Sequence, residues 1–502
     1  MSPAGPSPPG DYPIVIVGSG PGALQLAYSL SRYGIRHAVI SEDSGPGGMF
    51  RKWPLFQRLL SSTKPYAPGG RGSRNFERLD WNSLLADEPG ARSLQANHMD
   101  GSSNYPSRAE MEANLAEFAE RTGLVIRYGC RWEATRLEES AAGRRFVLVT
   151  SDGEYRCTYP VFAVGVAEPW VPPIPGIELA HHYAQVRAPE TYAGKRVFII
   201  GKHNSGFEIA TGLLSWAASL TLCSPSPAKL SVAVKSLVGV RARYALPFED
   251  HALGGGVNIL DGSIERIVRA DGALRVDIRT TVGGTRMSLG ADEVINVTGF
   301  VSPLRDLPRL GVATFGQSAL PAQTAWWESA TVPGIHFAGT ITQGVAGLSK
   351  HGIPPNSGAV QGYRYNARLL ARRLAETRFG KAGDRPSLRA GDVGGLLIGE
   401  VADGPALWHQ KGFLAHAVSV SAENGIRDEG IVPLTAFLDE GRNDGAAVTV
   451  EADGTGAIYP VAYVRRGGTV KETVLPGDAL LDFNTAENRS ALASALAPLG
   501  VS

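Results

Sequence analysis

The chain has 502 residues, of which 43% are apolar and 19% charged, with a formal net charge of +1. At about 150 residues per folding unit this length suggests two or three units, and the apolar share is ample to fill their cores. The balanced charge supplies no cationic field for nucleic acid, so a small-molecule partner is expected instead.

The opening Met1–Gly10 is rich in proline and lacks the basic start and apolar run of a signal peptide, so residues 1–11 read as a loose tail. From Tyr12 a buried-strand run, Ile14-Val-Ile-Val17, feeds a glycine turn and the helical pattern Leu24–Tyr33. A second strand, Arg36–Ile40, ends at Glu42 and completes a βαβ unit. Residues 108–122 place Met111, Leu115, Phe118 and Ala119 at helical spacing, ahead of an expected strand at Leu124–Tyr128. The alternation of Arg145–Thr150 predicts a hairpin that closes near Phe162–Gly165.

Pro169–Pro175 then breaks the chain, and a fresh strand, Arg196–Ile200, opens a second glycine turn inside a unit placed at 169–292. Glu293–Phe300 returns to the buried-strand style of the first unit. That unit, 12–168, is therefore expected to resume over 293–381, with a strand at Ile335–Ala338 and a helix over 357–376. Residues 382–502 read as a separate α+β module with a hairpin at 446–467. The three cysteines, Cys130, Cys157 and Cys223, have no CxxC spacing for dithiol chemistry or zinc. No apolar run reaches the roughly 18 residues of a membrane span, and a cytoplasmic protein without a membrane partner is expected.

The chemistry lies in the glycine turns. In Gly18-x-Gly20-x-x-Ala23 the first glycine allows the tight turn, the second lets backbone N–H groups approach a pyrophosphate, and the small third residue lets helix and strand pack closely. Gly22 falls within the same turn, and the helix N-terminus favours the phosphates. Glu42, at the end of the second strand, is placed to accept from the adenosine ribose hydroxyls. Gly47 and Gly48 follow where the chain runs beside the dinucleotide. Gly339-Thr340 follows a strand, and the helix expected from about Ser357 points a positive end toward a flavin. FAD is the dinucleotide expected here.

The second turn, Gly201-Lys-His-Asn-Ser-Gly206, carries His203 where the middle glycine usually stands, so a nicotinamide dinucleotide either meets a shifted loop or the site has changed role. Asn204, Ser205 and Gly206 open the following helix. No acid follows the next strand, Ser219–Leu222, whereas Ser224, Ser226 and Lys229 suit a 2′-phosphate, which favours NADPH over NADH. The adjacent His181 and His182 have no carboxylate or cysteine near them in sequence, so no metal site is expected. No Gly-x-Ser-x-Gly elbow offers a hydrolase nucleophile. The fold class expected is α/β, with two Rossmann-type domains, the NADPH domain inserted into the FAD domain, and a small α+β C-terminal module.

The order Gly18–Ala23, Gly47-Gly-Met-Phe50, Ala163-Val-Gly165, Gly201–Ala210 and Asn296-Val-Thr-Gly-Phe300 resembles the flavin-containing monooxygenases and their N-hydroxylating and Baeyer–Villiger relatives. Phe76–Leu85, Tyr105-Pro-Ser-Arg108 and Gly362-Tyr-Arg-Tyr365 resemble more closely the FAD-dependent oxidoreductase-domain proteins, a group that includes an endoplasmic-reticulum flavoprotein. The likeness covers roughly residues 12–375. It implies that NADPH reduces FAD and that a C4a-(hydro)peroxyflavin passes one oxygen of O2 to a small molecule, with N-hydroxylation in specialised metabolism as the leading subtype. An asparagine that family members often place near the flavin corresponds here to Ser62 or Thr63. Arg51, Thr63 and Lys64, with Lys350 and His351 before the flavin-side helix, are the candidate substrate-facing residues. Two other readings stay open. One is an NAD(P)H reductase or oxidase without oxygen insertion. The other is a flavin-stabilised interaction protein that docks through 382–502, and a homo-oligomer is compatible with each.

Overall fold

The computed structural model describes residues 6–52, 58–140, 143–231, 239–270, 272–345, 350, 354–381 and 383–501. The apolar strand Gly10–Val17 sits between His37–Ile40 and Gly153–Phe162, parallel to both, and His336–Phe337 adds in parallel on the far side of Gly153–Phe162. Gly143–Thr150 and Trp132–Ser140 extend this six-stranded sheet as an antiparallel meander. The helices Pro21–Arg32 and Val360–Phe379 cover one face around Ile14, Ile16 and Leu370, while Val15, Val17, Phe146 and Phe337 fill the other. Both faces are buried over Ile14–Val17, the apolar half of the central strand, which is what made it readable.

The second sheet has seven strands, in the order Arg286–Ala291, Ala273–Thr280, Val257–Ala270, Ser219–Ser224, Arg196–Ile200, Glu293–Asn296 and His181–His182. It is parallel from Val257–Ala270 through to His181–His182, and a β-meander extends its other edge. Glu293–Asn296 therefore belongs to the second unit, bonded beside Arg196–Ile200, and does not resume the first. A four-residue run buried on both faces looks alike in either sheet, so its apolar character could not assign it.

Other expectations shift at their edges. The helix Arg108–Arg121 starts at Ser107 with a full capping box to Glu110. The expected strand at 124–128 is reduced to one bridge between Ile40 and Arg127. The helix expected from Ser357 begins at Val360, after a short 3-10 turn at Asn356–Gly358. The tail is shorter than expected, because a strand starts at Gly10 and the Ser7 carbonyl accepts from the Tyr155 hydroxyl at 2.8 Å. No described helix is long and apolar enough to cross a membrane.

The C-terminal residues form a five-stranded antiparallel sheet, Gly425–Pro433, Leu414–Ser421, Asp444–Ala452, Ile458–Arg466 and Thr469–Val474, with helices at Ala390–Asp403, Pro405–His409 and Ala486–Leu496. This module does not stand apart. Val393, Leu397, Leu414 and Leu492 share one continuous core with Leu24, Leu30, Leu370 and Leu374 of the first unit.

Candidate functional site

Each glycine turn sits where a strand of a parallel sheet ends and a helix begins, the place where such sheets bind dinucleotides. Gly18 adopts φ +124°, and a Cβ there would stand 2.5 Å from the Ala163 carbonyl oxygen. Gly22 lies against Gly339, where an added Cβ would overlap backbone. Gly48 presses on Gly20 Cα, at 3.1 Å from an ideal Cβ. Gly20 is different. Its Cβ position has nothing within 4 Å and faces a cavity, so backbone can approach a phosphate there. This is the cradle that FAD requires, and the donor set fits it.

Gly18, Gly20, Gly22, Glu42, Gly48, Gly339 and Thr340 all line that one cavity. Ala23 lies fully buried behind the turn, and Gly47 donates its N–H to the Ser19 carbonyl at 2.9 Å. The Glu42 carboxylate, 46% exposed, stands at the rim and is held by Lys52 at 2.8 Å, with Arg305 at 3.8 Å. Its neighbour Asp43 turns inward. It accepts from Ser19 Oγ at 2.8 Å and Ser41 Oγ at 3.2 Å, tying the acidic loop to the glycine turn. Lys52 also reaches Asp43 at 3.0 Å. Burial works against the lysine's charge, yet its bonds to Glu42 and Asp43 outweigh that and raise its pKa.

Lys52, Asp43, Trp132, Arg305 and Tyr363 line the cavity without having been singled out from sequence. Only Tyr363 carried a signal, as part of the stretch Gly362–Tyr365. Trp132 and Arg305 arrive from distant segments, and the Arg305 guanidinium lies 5.6 Å from the Trp132 ring centre.

The candidate substrate-facing residues do not converge. The Arg51 side chain folds over Gly45 and Gly47 and donates to Ser44 Oγ at 3.2 Å. Thr63 is fully buried; it donates to Asp80 at 2.8 Å and accepts from Asn82 at 3.1 Å. Lys64 is exposed. Lys350 is held by the C-terminal module, with Nζ 2.6 Å from Glu472, 3.3 Å from the buried Glu451, and bonded to the Tyr463 hydroxyl. His351 lies outside the described residues.

At the second turn Gly201 repeats the geometry of Gly18, with φ +124° and an ideal Cβ 2.9 Å from the Val297 carbonyl oxygen. Gly206 packs on the Gly201 carbonyl. His203 is the N-cap of the helix Asn204–Leu213; it is extended, exposed and bonds no helix N–H with its side chain. Asn204 bridges to the segment across the turn, donating to the Gly239 carbonyl at 3.1 Å and accepting from the Arg241 N–H at 2.9 Å. Ser205 is half-buried within the first turn of that helix. Lys202 is buried and donates to the Leu260 carbonyl at 2.7 Å and to Asp261. The Lys229 side chain is exposed, and its carbonyl accepts from Val240 at 2.7 Å. His182 packs edge-on against Phe300 at 5.2 Å, and burial lowers its pKa.

The three cysteines are free and buried, and burial pushes each thiol upward. Comparison with known proteins then places the chain. It is 27% identical over 395 residues to FAD-dependent oxidoreductase domain-containing protein 2 of Mus musculus, covering 73% of this chain and 58% of that protein. It is 26% identical over 234 residues to indole-3-pyruvate monooxygenase YUCCA1 of Oryza sativa subsp. japonica, covering 46% of this chain and 49% of that one. The chain thus spans little more than half the length of the first curated relatives it matches. Among solved structures it shares the fold of the ornithine N-hydroxylase of Kutzneria sp. 744, at a TM-score of 0.56 and 16% identity over 74% of this chain and 100% of that one. Residues 15–339 match the pyridine nucleotide-disulphide oxidoreductase family, and the chain belongs to it, as a flavoprotein oxidoreductase of two dinucleotide-binding domains.

Proposed function

We propose that this chain is a monooxygenase that uses NADPH and O2 to place one oxygen atom on a small nucleophilic substrate, with an amine nitrogen as the leading target and a role in specialised metabolism. One observation carries the choice among redox chemistries. The cysteines are buried, free and without dithiol spacing, so disulfide exchange has no thiol pair to use. FAD, when bound, supplies electron transfer from the nicotinamide to O2 and oxygen delivery to the substrate.

The chain's own residues bind and orient. The Gly18–Gly22 turn receives the pyrophosphate, Asp43 fixes that turn through Ser19 and Ser41, and Glu42 is the acceptor for the ribose once Lys52 yields it. Thr340 and the buried Tyr363 line the cavity beside the helix Val360–Phe379. Asn204, Ser205, Gly206 and Lys229 are the residues proposed to receive NADPH.

His203 supports a second reading, an oxidase or reductase in which the nicotinamide is held differently and oxygen is not inserted. Stopped-flow reduction with NADPH and with NADH, followed by mixing with O2 and a panel of amines and thioethers, separates the two. NADPH-linked reduction and a product heavier by one oxygen atom are expected. Reduction by neither nucleotide would sink both readings, and hydrogen peroxide released in full with every substrate would leave the oxidase.

A further inference from the structure

A second cavity of about 360 Å³ lies between the helix Val360–Phe379 and the C-terminal module, and it shares no lining residue with the flavin cavity. That volume is in the range of small-molecule pockets. Leu85, Leu369, Ala406 and Ile431 give it an apolar wall. Arg368 and Arg372 stand on it four residues apart, on one face of the helix, where two cations repel each other.

The charges around the cavity are unequally matched. Arg368 meets Asp87 at 2.6 Å. Arg372 is mostly buried, and its close partners among the described residues are carbonyl oxygens, Ile431 at 2.6 Å and Glu429 at 3.2 Å. Its nearest carboxylate, Glu376, is 4.0 Å away and already holds Arg385 at 2.9 Å. The two carboxylates on the cavity are already engaged, in part by the lining residues Tyr365 and Arg74. Glu77 accepts from the Tyr365 hydroxyl at 2.6 Å, and Glu400 is paired with Arg74 at 2.7 Å and His416 at 3.5 Å. Tyr33, also on the lining, lies in the field of both arginines.

We propose that this cavity is a binding site for a small amphipathic carboxylate, its apolar tail against Leu85, Leu369, Ala406 and Ile431 and its carboxylate bridging Arg368 and Arg372. A guanidinium fork matches a carboxylate, and a bridging anion removes the repulsion between the two helix cations. The helix that carries this pair also presents Tyr363 to the flavin cavity, so both cavities are built on one rigid element.

The test uses the full FAD-loaded chain and octanoate as probe, titrated calorimetrically, with octanol and octylammonium as controls of the same tail. One equivalent of octanoate is expected to bind and to raise the melting temperature, while both controls bind at least about tenfold more weakly. Arg368→Gln should weaken octanoate about tenfold, and Leu369→Trp, which fills the cavity, should abolish binding, with FAD content and flavin absorbance unchanged in each. Absence of octanoate binding, equal binding of octylammonium, or binding indifferent to Arg368→Gln would overturn the proposal. Arg368 is half-exposed and its variant decides the matter even if Leu369→Trp fails to fold.

Discussion

Gly20 and Gly22 are two residues apart, yet a methyl group added to each should act in opposite ways. At Gly22 it would overlap the Gly339 backbone, so Gly22→Ala should destabilise the fold by about 1–3 kcal/mol, read as a lowered denaturation midpoint. At Gly20 it meets no protein atom. Gly20→Ala should therefore fold normally and hold FAD about tenfold more weakly, measured as flavin retained after gel filtration. At the second turn, restoring the missing glycine with His203→Gly should lower the KM for NADPH while leaving FAD content unchanged; an unchanged KM would show that the histidine does not obstruct the nucleotide. The glycines could be read from sequence because their demands are local: a left-handed φ at Gly18 and Gly201, and close backbone approach. Lys52, Trp132 and Arg305 could not, since an ordinary lysine, tryptophan or arginine acquires its role only when separate loops meet at the cavity.

Elements show the same division between local and long-range information. The helix Arg108–Arg121 announces itself through Ser107, Glu110 and its apolar spacing, whereas Glu293–Asn296 needs its neighbours to say which sheet it joins. A further long-range constellation ties the module's helix Ala390–Asp403 to its sheet. His416 lies between Asp428 at 2.7 Å and Glu400 at 3.5 Å. Burial opposes its charge, but those carboxylates prevail and raise it to about 9. Glu400 is likewise disfavoured by burial, yet His416 and Arg74 bring it down to about 2. The raised histidine contributes stability that is complete below its unfolded value of about 6.5 and lost as pH climbs through its folded value. The depressed glutamate contributes above its unfolded value of about 4.3, and that part is lost as pH falls through about 2. Thermal melts should accordingly decline from about pH 6.5 to 9.5 in the native chain, and His416→Gln should flatten that decline. The same substitution should cost on the order of 3 kcal/mol near pH 6 by leaving two carboxylates facing each other. An equal pH dependence in the variant would count against this account.

For the whole molecule, the C-terminal residues read as a separate appendage because their hairpins resemble those of any small α+β domain. Nothing in a strand pattern reveals which surface its sheet will cover. In the fold, Gln410 is fully buried and donates to Ser357 at 3.0 Å and Asn366 at 2.8 Å, and Arg372 bonds two carbonyls of the module. Ending the chain after residue 381 would expose Leu370, Leu374 and their neighbours, now inside a common core. That truncated form should aggregate or lose FAD on gel filtration, and a monodisperse, flavin-bound product would contradict the shared core. The continuity of that core has a consequence for recombination. A relative cannot acquire this module by simple fusion at its end, since the helix Val360–Phe379 is lining on one side and foundation on the other. The smallest exchangeable piece starts upstream of that helix, so any chimera that inherits the module inherits Tyr363 and, with it, one wall of the flavin cavity.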